Sequence, residues 1–134
     1  MVKLNDDVRN LVANIKIFPF ATASKAGEPN VAPIGLLVLQ QDGETVWIVD
    51  NFMNKTLANL KENPNASFYV WNPEFPDSYQ IKGTVTVENS GQDYEKAVQL
   101  AHARKETLPA KNLLKFRITE VFYTTPGPKA GTRV

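Results

Sequence analysis

The chain predicts a mainly β protein with two or three short helices, a six-stranded antiparallel barrel forming a single domain over residues 1–134. Three observations predict it. Six segments are rich in apolar and β-branched residues, and one of them, 79–88, sets Tyr79, Ile81, Gly83, Val85 and Val87 against Gln80, Lys82, Thr84, Thr86 and Glu88 in the strict alternation of a half-buried strand. Most of the breaks between them are short and turn-rich, which suits hairpins rather than the helical crossovers of a parallel sheet. A length of 134 residues, with no internal repeat or composition shift, fits one domain.

The elements follow in order. Leu4, Val8, Leu11, Val12 and Ile15 fall at helical spacing behind Asn5, Asp6 and Asp7, predicting a helix over about 5–14. Residues 17–24 predict a strand ending at the turn Lys25-Ala26-Gly27-Glu28-Pro29, and 31–39 predict the next. Gln41-Asp42-Gly43 turns the chain into a third strand, 45–50. Lys55 to Glu62 reads as a short helix with Asn54 as its N-cap and Asn63-Pro64 as its stop. Strands at 67–71 and 79–88 flank a loop with two prolines, and Trp71 ends the first of them as a candidate for the core, ahead of a dimer interface or a ring-stacking wall. Ser90 and Asp93 predict a capping pair for a helix over 91–105 that turns Tyr94, Ala97, Val98 and Ala101 inward. A linker over 106–111 leads to a final strand, 113–125, and a frayed Pro/Gly-rich tail, 126–134.

Composition excludes several chemistries. There is no cysteine, which removes disulfides, thiolate metal sites and thiol catalysis, and which suits a cytoplasmic location. His102, the single histidine, falls within a predicted helix, where a surface or interhelix role is expected. Fifteen basic residues balance fourteen acidic ones, giving no bulk attraction to nucleic acid or an anionic membrane. Residues 1–15 lack the apolar run of a signal peptide, and no stretch approaches the ~20 apolar residues of a membrane span. The glycine-rich nucleotide loops, the nucleophile elbow and the zinc-protease motif are all missing.

One segment invites a ligand. Asp50-Asn51-Phe52-Met53-Asn54-Lys55-Thr56 runs from a strand end into a helix start. The first N–H groups of a helix lack internal partners and carry the positive end of its dipole. A lysine and a threonine there would complete a phosphate cradle. The same residues also fit a plain capped helix with a solvated lysine.

Three further strings carry a resemblance: Phe20-Ala21-Thr22-Ala23-Ser24 with Gly27-Glu28-Pro29-Asn30-Val31-Ala32-Pro33; Asn54-Lys55-Thr56-Leu57-Ala58-Asn59-Leu60 running on to Asn63-Pro64; and Ile81-Lys82-Gly83-Thr84-Val85. Together they resemble the pyridoxamine-phosphate-oxidase-like FMN-binding split-barrel family, and its small stand-alone members most. The resemblance implies a Greek-key split barrel that forms a homodimer with FMN in grooves at the subunit interface. It implies that Lys55 and Thr56, opened by Asn54, hold the phosphate, that Ala32, Pro33, Ile34 and Gly35 contact the ring, and that Val49, Asp50 and Asn51 line the groove. The ring strand here has no arginine, and the oxidase's C-terminal arginine motif is not evident, so the resemblance does not extend to vitamin B6 oxidation.

The activity it implies is an oxidoreductase passing hydride or electrons through FMN, with a nicotinamide or protein donor as partner. The alternatives are a non-enzymatic flavin carrier or store, a barrel holding haem, a deazaflavin or pyridoxal phosphate instead, and a barrel without cofactor that serves only as an interaction module.

Overall fold

A computed structural model describes residues 2–134. Its elements are α1 (Asp6–Ala13), β1 (Phe18–Ala23), β2 (Pro29–Ile34), β3 (Leu37–Leu39), β4 (Thr45–Asp50), α2 (Lys55–Glu62), β5 (Asn65–Val70), β6 (Tyr79–Glu88), α3 (Gln92–Arg104) and β7 (Asn112–Tyr123). The seven strands form one sheet in the order β2-β1-β5-β6-β7-β4-β3, and every pairing is antiparallel.

The predicted strand over 31–39 is therefore two strands. The chain leaves β1 after Ile34 pairs with Phe18, passes Gly35 and Leu36, and pairs anew with β4 at Leu37. These halves occupy opposite edges of the sheet. In a flat sheet those edges would lie roughly 29 Å apart, whereas three residue steps reach about 11 Å. The sheet must curl until its edges nearly meet, which makes it a split barrel with a seam at Gly35 and Leu36.

Inside the barrel, Phe68 packs edge-on against Phe18 (5.9 Å between centroids) and Phe116 (5.2 Å). Phe20, Ile48, Ile81 and Ile118 complete the centre. The first helix closes this core with Leu4, Val8, Leu11 and Val12. Its start is capped by Asn5, whose Oδ1 accepts from the Val8 N–H at 3.0 Å. A smaller cluster lies outside the barrel, where α3 lays Ala97 and Ala101 over Val49 and Leu113. Tyr94 and Val98 pack against it, so the predicted inward face of α3 is the observed one.

Three local expectations are corrected. Ser90 and Asp93 do not cap α3: Gly91 holds the N-cap position at φ 99°, and Asp93 instead pairs with Lys115 at 2.7 Å. Trp71 is not core, being 61% exposed. The tail is not frayed. Its backbone bonds back to β7, with Gly131 N–H on the Tyr123 carbonyl (2.8 Å) and Val134 N–H on that of Val121 (3.1 Å). Lys129 pairs with Asp77 at 2.8 Å and lies over the Tyr123 ring, while Arg133 pairs with Glu120.

Gly83 sits at a register shift between β6 and β7. A Cβ there would run into the Arg117 carbonyl and the Phe116 ring. Gly83→Ala is expected to destabilise the fold by about 2–3 kcal/mol, read as a lower urea midpoint. Asp77 is held below the ordinary carboxyl range by hydrogen bonds from Lys129 and then Thr125. A carboxyl with a depressed folded pKa stabilises above its unfolded value and ceases to do so as pH falls through the folded one. Protection of the Gly131 and Val134 amides, relative to their intrinsic exchange, is therefore expected to fall as pH drops below about 4 and Asp77 takes up its proton, while β6 stays protected; equal loss in the two would contradict the anchoring of the tail by Asp77.

Candidate functional site

The seam opens into a cleft of about 580 Å³, within the range of small-molecule sites. One wall is β2 and the seam, with Asn30, Ala32, Pro33, Ile34, Gly35 and Leu36. The opposite wall is Val49, the loop Asn51–Asn54 and the first residues of α2, Lys55 and Thr56. Of the ten residues expected at the site, nine line this cleft: Ala32, Pro33, Ile34, Gly35, Val49, Asn51, Asn54, Lys55 and Thr56.

Asp50 is the tenth and lies beneath the wall, fully buried. Its Oδ1 accepts from the Met53 N–H at 2.9 Å and its Oδ2 from Asn112 Nδ2 at 2.8 Å. Lys111 adds its N–H on the Asp50 carbonyl (2.7 Å) and places Nζ 3.9 Å from the carboxylate. These bonds fold the loop after β4 back on itself and so shape the wall that faces the cleft. A buried carboxylate satisfied in this way is a structural anchor.

The helix start differs from expectation in one respect that favours a ligand. The Asn54 side chain makes no cap bond, and the first helical bond is Ala58 N–H to the Asn54 carbonyl. The N–H groups of the first turn thus lack a side-chain acceptor, next to Lys55, which is exposed and forms no ion pair among the described residues. Thr56 is buried, and its Oγ1 accepts from Asn30 Nδ2 at 3.2 Å, leaving its proton free to donate. Asn59 Nδ2 donates to Thr22 Oγ1 at 3.1 Å. These two bonds bolt α2 to β1 and β2, so the helix start is fixed relative to the apolar wall.

Sequence reasoning missed the other end. Arg104, in the last turn of α3, reaches the cleft and donates to the Gly35 carbonyl through Nη1. Leu108 follows it into the wall. Nothing local marks Arg104 as a site residue; only the packing of α3 across the barrel brings it there. Lys55 and Arg104 are the charged groups lining the cleft, and no carboxylate lines it. His102 is outside, with Nε2 3.1 Å from the Leu108 carbonyl. Among the described residues no His, Cys, Asp and Glu cluster could hold a metal ion, and no helix is long and apolar enough to cross a membrane.

Comparisons with known proteins place this chain in a family. MJ0282, an uncharacterized protein of Methanocaldococcus jannaschii, is 38% identical over 133 residues, covering 98% of this chain and 87% of that one. HupZ of Group A Streptococcus superposes with a TM-score of 0.81 at 24% identity, covering 96% of this chain and 99% of that one. An FMN-binding protein from Syntrophomonas wolfei gives 0.74 at 22%, covering 88% and 83%. The same fold also carries HutZ, the heme storage protein of Vibrio cholerae (0.70 at 15%, 91% and 95%), and an F420 reductase (0.60 at 21%, 78% and 87%). At these identities the structural likenesses show the fold alone. The family model described as pyridoxamine 5'-phosphate oxidase matches residues 4–125, and with the 38% identical relative it shows that this chain belongs to the pyridoxamine 5'-phosphate oxidase-like family.

Proposed function

We propose that the chain is an FMN-binding flavoprotein, an oxidoreductase that passes hydride or electrons from a nicotinamide or protein donor through FMN to an acceptor. The observation that carries this reading is the uncapped start of α2, with Lys55 and Thr56 beside an apolar wall in a cleft without carboxylates. An elongated ligand with an anionic end and a flat apolar ring suits that arrangement. In this reading the first-turn N–H groups, Lys55 and Thr56 hold the phosphate, Ala32 to Leu36 wall the ring, and Arg104 supplies positive charge at the seam. Bound FMN supplies the redox chemistry; the residues bind it, orient it and restrict water. The cleft lining offers no histidine to ligate haem, which favours a flavin.

A second reading, a non-enzymatic flavin carrier or store, is favoured by one feature. Lys55 and Arg104 are the titratable groups of the lining, so the cleft brings no carboxyl, imidazole or phenol to move a proton to a substrate. Turnover with NADH or NADPH by the flavin-loaded protein separates the enzyme from the carrier.

The proposal includes a homodimer. Val31 lies opposite Ala21, which lies opposite Ser67, and Tyr69 is two residues further along β5. Val31 and Tyr69 therefore share the outer face of β2, β1 and β5, and both are exposed, with Trp71 just beyond. Apolar side chains on and beside an edge strand invite a partner.

Purified protein mixed with FMN is expected to absorb near ~450 nm and to bleach with dithionite, a property of the flavin itself. A protein that stays colourless after FMN is added and free ligand removed would end the reading. Lys55→Ala should weaken FMN by about tenfold to a hundredfold and riboflavin by much less, because a charge-assisted bond to phosphate is worth about 1.5–3 kcal/mol; equal losses would contradict the assignment. Light scattering should give a dimer, and Val31→Glu should yield monomer with weakened FMN binding. A flavin-bound monomer of the unaltered chain would contradict the interface model.

A further inference from the structure

Ala110 is the one non-glycine among the described residues with positive φ, at 44°. An L-residue there is disfavoured, so its surroundings must hold it. Two side chains do so from opposite sides. Tyr94 Oη donates to the Ala110 carbonyl at 2.8 Å, and the Ala110 N–H donates to Asn51 Oδ1 at 2.9 Å. Ala110 is buried between them.

This clasp has a consequence for the cleft. Asn51 lines the cleft, and its oxygen is committed to Ala110, so its amide can face only one way. Asn51 Nδ2 has no protein partner among the described residues, yet no buried side-chain polar atom there is left unpaired, so Nδ2 reaches solvent. It is a free donor whose orientation is fixed from the far side. Tyr94 stands on α3, which also carries Arg104 into the cleft, so one helix sets both the amide and the cation.

We propose that Tyr94 and Ala110 are positioning residues that lock the Asn51 carboxamide so that Nδ2 donates to an acceptor oxygen of the bound ligand. This rests on the FMN reading above. Under that reading the acceptor is a ring carbonyl, a ribityl oxygen or a phosphate oxygen. A fixed donor selects ligands with an acceptor at that point, because a mismatched ligand leaves it unpaired.

The test uses the full chain, with FMN and riboflavin titrated by fluorescence quenching and folding checked by thermal melts. Asn51→Asp keeps an oxygen for the Ala110 N–H but replaces the donor with a second acceptor. It should fold and lose flavin affinity by about tenfold. Loss with both flavins would put the acceptor on the ring or ribityl chain; loss with FMN alone would put it on the phosphate. Tyr94→Phe leaves the cleft lining intact but frees one side of the clasp. It should weaken flavin binding in the unaltered background and add nothing in the Asn51→Asp background, whereas a merely structural tyrosine would weaken both alike. Unchanged affinity in a folded Asn51→Asp overturns the donor assignment and leaves the FMN reading standing; additive losses with Tyr94→Phe overturn the positioning role. An unaltered chain that binds neither flavin overturns the FMN reading and this inference together.

Discussion

Gly35 and Leu36 join two strands that lie at opposite edges of the same sheet. So short a link leaves a seven-stranded sheet no choice but to curl. Closure then fixes where everything else can go. The phenylalanine cluster fills the inside, α1 stops one opening, and α3 covers the outer surface of β4 and β7. The seam cannot be paired along its whole length, since the chain itself crosses there. That gap is the cleft, and the residues of the crossing are its wall.

The cleft is built from parts that are each held from behind. Asp50 ties the loop after β4 to Lys111 and Asn112, Thr56 and Asn59 tie α2 to the strands below it, and Ala110 links that loop to α3. None of these bonds needs a ligand to form. A site whose walls are fixed in advance spends less of its binding energy on ordering them. The acidic group behind the cleft wall is withdrawn from it: Asp50 is buried beneath the loop. What remains facing the opening is apolar surface, amide and hydroxyl groups, and two cations.

Much of this was legible in the residues because the signals were local. The alternation over 79–88, the helical spacing of Val8, Leu11 and Val12, and the turn at Asp42-Gly43 all sit within a few positions of one another. So do Asn54, Lys55 and Thr56. The split of 31–39 was not legible, since either half is a good strand former and only pairing partners outside the segment decide where one ends, as the register of Ile34 with Phe18 and of Leu37 with Ile48 shows. Arg104 and Tyr94 were invisible as site residues for the same reason: each acts on a residue distant in sequence, Gly35 and Ala110. Trp71 misled because bulk usually means burial, and here the strand ends before the core can cover it. The tail misled because its anchors, Asp77 and Glu120, lie on other elements.

The seam also bears on the order in which the molecule assembles. Gly35 and Leu36 hold its two edge strands together in any state of the chain, but the walls around it take their places only when β1 pairs with β5 and β4 with β7, pairings that join distant parts of the chain. Such non-local contacts form slowly, because loop closure must precede them. The shape of the cleft therefore depends on long-range pairing across the whole sheet and not on the local link alone. A small molecule seated there would touch β2 on one side and the loop after β4 on the other, and would favour the closed barrel by mass action in proportion to how tightly it binds.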